Sequence, residues 1–111
     1  MATVYLELTS QKLPLEVKRA ITQLGWHPHA GMFHKAVAAQ LRALDYKVQT
    51  EVAAPYGTRR GRIDILATKG QTAIALELDH KTPRKKSIKK LTLFQGANVK
   101  AIVLREGKRH G

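Results

Sequence analysis

Two runs in the middle of the chain carry acidic residues inside otherwise apolar stretches: Gly61-Arg-Ile-Asp64-Ile-Leu-Ala and Ala73-Ile-Ala-Leu-Glu77-Leu-Asp79. Both are rich in Ile, Leu and Ala and read as strands. The link Lys69-Gly70-Gln71-Thr72 between them has glycine at the first central position of a two-residue II′ turn. A turn centred between Gly70 and Gln71 sets Asp64 directly across from Glu77, and Arg62 across from Asp79. Period-two alternation then puts all four on one face. Directly opposed residues hold their Cβ atoms about 4.5–5.5 Å apart. Two carboxylates so placed in an apolar hairpin repel each other where water is scarce. One must take up a proton, or a cation must join them. Oxygen ligands with open positions suit Mg²⁺ or Mn²⁺. The competing reading is a solvated sheet face on which Asp64 and Glu77 pair with Arg62 or Arg60. Asp79 also has two readings, metal contact and a plain cross-strand salt bridge to Arg62.

The elements that position these residues follow from apolar spacing. Thr3 to Thr9 alternates as a strand, and Pro14 to Leu24 carries Leu15, Val17, Ala20, Ile21 and Leu24 at helical spacing, with Gly25 as a stop. Phe33, Val37, Leu41 and Leu44 mark a second amphipathic helix over 31–45. Lys47 to Ala53, Arg62 to Thr68, Thr72 to Asp79 and Asn98 to Arg105 read as strands, and Pro83 to Gln95 as a helix with Ile88, Leu91 and Phe94 on its apolar stripe. The order from residue 31 is helix, strand, strand, strand, helix, strand, which is an α/β unit with a mixed sheet. Residues 1–30 look like a strand-helix addition to a core spanning 31–111.

Composition narrows the function classes. The 111 residues hold 20 Lys and Arg against 8 Asp and Glu, a formal net charge of +12. With 43% hydrophobic and 25% charged residues, the chain has a foldable core and is not a disordered basic tail. There are no cysteines, which removes disulfides, thiolate catalysis and Cys-based zinc sites together. No stretch has the length of apolar sequence needed for a membrane span, and the first residues lack a signal-peptide pattern, so the expected location is cytoplasmic, with the nucleoid. The charge is uneven: ten basic and seven acidic side chains lie in residues 1–80, ten basic and only Glu106 in 81–111. Such a cluster calls for a polyanion, and nucleic acid is the commonest one. A merely solubilising surface is the bland alternative.

The two acidic runs, in that element order, resemble the core of the PD-(D/E)XK nuclease superfamily over residues 31–105. The resemblance implies a restriction endonuclease-like fold and an endonuclease that cuts DNA with Mg²⁺ or Mn²⁺. It implies that Asp64, Glu77 and the Leu78 carbonyl hold the metal. The sequence departs from the motif twice: Ile63 stands at the proline position and Asp79 at the lysine two residues after the glutamate. The missing ammonium then comes from elsewhere, with Lys90 preferred, followed by Lys81; Ser87 and Lys90 are spaced to present a hydroxyl and an ammonium together. His34 lies where Holliday junction resolvases tend to have glutamate, and can ligate metal, touch water or phosphate, or serve no role. Glu51 is an outer candidate.

On this reading Asp64, Glu77 and Asp79, with Lys90, Lys81 and His34, form the catalytic group. Arg59, Arg60, Arg62, Arg84, Lys85, Lys86 and Lys89 bind backbone phosphates. With few aromatics, duplex or branched DNA is the expected substrate. One core cuts one strand, so a homodimer is expected for double-strand cuts. The rivals are a nuclease-fold binding module without turnover and a basic RNA-binding protein of ribosomal type.

Overall fold

The computed structural model describes residues 2–107. Lys108, Arg109 and His110 of the basic C-terminal part therefore lie outside the described residues. The elements run in the order β1 (Thr3–Glu7), α1 (Leu15–Thr22), α2 (Ala30–Ala43), β2 (Lys47–Ala53), β3 (Arg62–Lys69), β4 (Thr72–Asp79), α3 (Lys85–Leu93) and β5 (Val99–Leu104). The chain is an α/β fold built on one five-stranded mixed sheet in the order β1-β5-β4-β3-β2. β1 with β5, β2 with β3 and β3 with β4 are antiparallel; β4 and β5 are parallel, joined by the α3 crossover. The expected N-terminal addition thus extends the sheet by one edge strand, and its helix α1 packs on α2.

Burial explains the strand sequences. β4 and β5 are central and covered on both faces, so Ile74, Ala75, Leu76, Val99, Ala101, Ile102 and Val103 are all 0% exposed, as continuous apolar runs require. β2 is an edge strand and keeps polar residues outward. Phe33, Val37 and Leu41 of α2 and Val17 and Ile21 of α1 pack on one face against Ile65, Ala67, Leu76 and Val103. Leu91, Ile88 and Phe94 from α3 and its C-terminal end cover the other face, over Ile63, Ala75, Ile102 and Leu104. Each such large apolar side chain contributes roughly 1.5–3 kcal/mol of burial energy. Among the described residues no helix is long and apolar enough to cross a membrane.

The hairpin between β3 and β4 is the one expected. Lys69 pairs with Thr72, and the same register continues through Thr68–Ala73, Ala67–Ile74, Leu66–Ala75 and Ile65–Leu76. Gly70 sits at φ +58° while Gln71 keeps a negative φ, which is the II′ combination that only glycine enters cheaply.

Candidate active site

The β3–β4 ladder stops at Ile65–Leu76, one step before the acidic pair. Beyond it the two strands exchange side-chain bonds in place of main-chain ones. The Asp64 N–H donates to Glu77 Oε2 at 3.0 Å, and the Leu78 N–H donates to Asp64 Oδ2 at 2.8 Å. Each carboxylate thus caps a donor on the other's strand, and the sheet forks between them. Asp64 also faces the edge strand. Thr50 pairs with Ile65 and Val52 with Ile63, so Glu51 lies opposite Asp64 without a ladder pair of its own. Glu51 takes φ +55°, a left-handed conformation that residues with a Cβ seldom adopt. Glu51, Asp64 and Glu77 therefore form one row across three strands.

Burial separates the three. Glu77 is 0% exposed, Asp64 is half-buried and Glu51 is exposed. Loss of hydration raises the Glu77 carboxyl to about 7, with the Asp64 charge adding to the rise and Lys90 opposing it. Lys90 reaches in from α3. Its Nζ donates to the Arg62 carbonyl at 2.9 Å and forms an ion pair with Glu77 Oε1. The Lys90 ammonium is the one polar partner that Glu77 Oε1 has among the described residues. Lys90 itself is only 8% exposed, as its apolar stem requires for an ammonium buried among β3 and β4.

Asp79 is placed differently from the salt-bridge reading of the sequence. Its carboxylate is not paired with Arg62 but with the start of α3. Oδ2 accepts the Arg84 N–H at 2.9 Å, while Oδ1 accepts Arg84 Nε and the Ser87 hydroxyl, both at 3.0 Å. The physical reason is that β4 ends at Asp79 and the turn over residues 80–84 folds back, so that Arg84, just before α3, and Ser87, in its first turn, meet the carboxylate at the strand end. Ser87, expected beside Lys90 in the site, is fully buried in this anchor instead. Lys81 lies past the end of β4 and is exposed, so the continuation of the strand face that would have aimed it at the site is absent.

His34, half-buried on α2, completes the acidic side: one donor atom each from His34, Glu51 and Asp64 lie within 4.8 Å of one another. Leu78, between Glu77 and Asp79, is tied to Asp64 through its N–H. This cluster offers one imidazole and two carboxylates, and Glu77 is not part of it. The Asp64–Glu77 pair is compensated without an ion, by the exchanged backbone bonds and by Lys90.

Two clefts share Asp64 as a wall. The larger, of about 750 Å³, is lined by Glu51, Tyr56, Arg60, Arg62, Lys86 and Lys90 among others. The smaller, of about 310 Å³, is lined by His34, Leu78, Asp79, Arg84 and Arg105 among others. Arg59, Arg60, Arg62, Arg84, Lys85, Lys86 and Lys89 are all exposed at the surface. Arg60, Arg62 and Lys86 edge the larger cleft; Arg84 belongs to the smaller one. The sequence places Asp64 opposite Glu77 and points Lys90 toward them, as the structure has them; it gives no signal for the part of Asp79, which lies six residues ahead of α3. Comparisons with family models, with curated proteins and with solved structures return no match for this chain.

Proposed function

We propose that this chain is a metal-dependent endonuclease that hydrolyses DNA phosphodiester bonds, with a restriction endonuclease-like core of the PD-(D/E)XK kind. One observation carries the reading: the buried Glu77, the half-buried Asp64 and the Lys90 ammonium converge where β3 and β4 part, beside a cleft edged by Arg60, Arg62 and Lys86. Asp64 and Glu77, with the Leu78 carbonyl, would hold Mg²⁺ or Mn²⁺, and His34 and Glu51 add donor atoms on the other side of Asp64. Such a cation, when bound, offsets the carboxylate charges, acidifies water and stabilises a leaving oxygen. The rest falls to the chain. The Leu78 N–H fixes the orientation of Asp64, and Lys90 supplies from α3 the positive charge that the motif places on β4. The arginines and lysines around the cleft neutralise backbone phosphates, which positions DNA without reading bases. The substrate is duplex or branched DNA, two copies of the chain act together where both strands are cut, and the protein works with the nucleoid.

A specific observation favours a second reading. Lys90 already offsets the Glu77 charge, and Asp79, at the motif's lysine position, is spent on anchoring α3. A nuclease-fold DNA-binding module without turnover would look the same. Incubation with supercoiled plasmid and with branched DNA, in Mg²⁺, Mn²⁺ or chelator, separates the two. The enzyme nicks only with metal, and Asp64→Asn or Glu77→Gln abolishes nicking while DNA retention persists. Retention without cutting under every metal identifies the binding module.

A further inference from the structure

The wall of the larger cleft contains an aromatic ring whose placement the nuclease reading does not use. Tyr56 lines that cleft together with Arg60, Arg62, Lys86 and the acidic residues Glu51 and Asp64. Its position is fixed by the loop between β2 and β3. Tyr56 and Arg59 exchange N–H to carbonyl bonds, both at 3.1 Å, and the Ala54 N–H donates to the Gly61 carbonyl at 2.8 Å. Gly57 turns the tip at φ +63°. The loop is therefore a closed miniature hairpin that presents the ring in a set place.

Gly61 explains how the ring is seated. A Cβ there would come within 2.8 Å of the Tyr56 ring carbons and 2.7 Å of the Ala54 carbonyl oxygen. One side of Tyr56 therefore rests on bare backbone, a contact that any side chain at 61 would break. The ring is half-buried and still lines the cleft. An aromatic surface held rigidly among cations, beside carboxylates, has the chemistry of a nucleobase platform. Stacking supplies affinity for a base and the basic groups supply it for its phosphates.

We infer that Tyr56 is a substrate-contacting residue that stacks an unpaired nucleotide next to the phosphodiester held at Asp64 and Glu77, so that the preferred substrate is DNA with a locally unpaired strand. This rests on the nuclease reading for the identity of the phosphodiester. The physical reason is access. In a regular duplex each base face is covered by its neighbours, and only an edge can be reached from a groove. A ring recessed in a cleft meets a base face only where the stack is interrupted or the base swings out. Uniform duplex engages the arginines and lysines but not the ring.

The test is equilibrium binding in chelator of oligonucleotides carrying 2-aminopurine, either within a uniform duplex or in a short bulge. The protein is expected to bind the bulged DNA more tightly and to quench the probe there. Tyr56→Ala should lose that quenching and weaken bulge binding by roughly 5- to 100-fold, with duplex binding unchanged. Tyr56→Phe should retain both effects. Gly61→Ala, which moves the ring without removing it, should behave like Tyr56→Ala, and thermal melting of each variant establishes that it folds. Equal binding of the two DNAs by the native chain, or equal losses on both in Tyr56→Ala, would overturn the inference. Failure of the nuclease reading looks different: bulge preference and quenching persist, and no metal produces cutting.

Discussion

Lys90 donates to the Arg62 carbonyl at 2.9 Å and, from the same Nζ, forms an ion pair with Glu77. A residue of α3 thereby ties the start of β3 to the buried carboxylate of β4, at the point where main-chain pairing between the two strands has ended. Helix α3, a strand end and the acidic pair are held as one unit.

Removing that ammonium leaves a buried carboxylate without its partner, which is strongly destabilising. Lys90→Met is expected to lower the unfolding free energy by about 3–5 kcal/mol in urea titration. The double variant Lys90→Met with Glu77→Leu, which removes both charges, should recover most of the loss. A double variant no more stable than the single one would show that the pair does not carry the interaction.

The raised Glu77 carboxyl makes stability depend on pH. Its folded pKa of about 7 lies above the ordinary value of 4.5, so between these values the folded protein binds the proton that the unfolded chain has released. Stability contributed by this group is full below about 4.5 and is lost as pH rises through about 7. Metal-free protein should lose on the order of 1–3 kcal/mol across that window, and Glu77→Gln should flatten the profile. A native profile already flat across the window would contradict the burial argument.

Asp79 anchors α3 through Arg84 and Ser87. Asp79→Ala is expected to cost about 1–3 kcal/mol, because the buried Ser87 hydroxyl and the Arg84 N–H at the helix start are left without their acceptor. Ser87→Ala should cost less, about 0.5–1.5 kcal/mol. Mn²⁺ affinity, followed by the spin resonance of the free ion, should be little changed in Ser87→Ala. A large loss of Mn²⁺ affinity in that variant would place this anchor inside the metal site.

Charge reversal at Lys85 and Lys86 should weaken DNA binding and reduce the slope of log K against log salt by about 0.9 for each phosphate no longer neutralised. Both residues are exposed on α3. An unchanged slope would remove this helix from the DNA footprint.

The fold is largely legible in the sequence because apolar spacing and a few punctuating residues agree. Gly70 sets the hairpin turn, and with a two-residue turn the register follows for every later pair, which is why Asp64 and Glu77 can be matched from the sequence alone. Glu51 cannot be matched to Asp64 in the same way, since the longer connector between β2 and β3 leaves the register free. Asp79 escapes such reasoning because strand alternation says nothing about where a chain goes after its last pair; the start of α3 claims that carboxylate. Ser87 and Lys90, one helical turn apart, suggest a single functional couple. They instead meet two carboxylates two residues apart on β4: Ser87 bonds to Asp79 and Lys90 pairs with Glu77.

End-labelled DNA incubated with Mg²⁺ and resolved on a denaturing gel tests the proposed metal centre most directly, with native protein and Asp64→Asn side by side. The expected result is metal-dependent product ending in a 3′ hydroxyl from the native chain, and loss of cutting by at least about 100-fold in Asp64→Asn. Cutting undiminished by Asp64→Asn, or no cutting by the native protein in Mg²⁺ or Mn²⁺, would contradict an active centre at the forked strands.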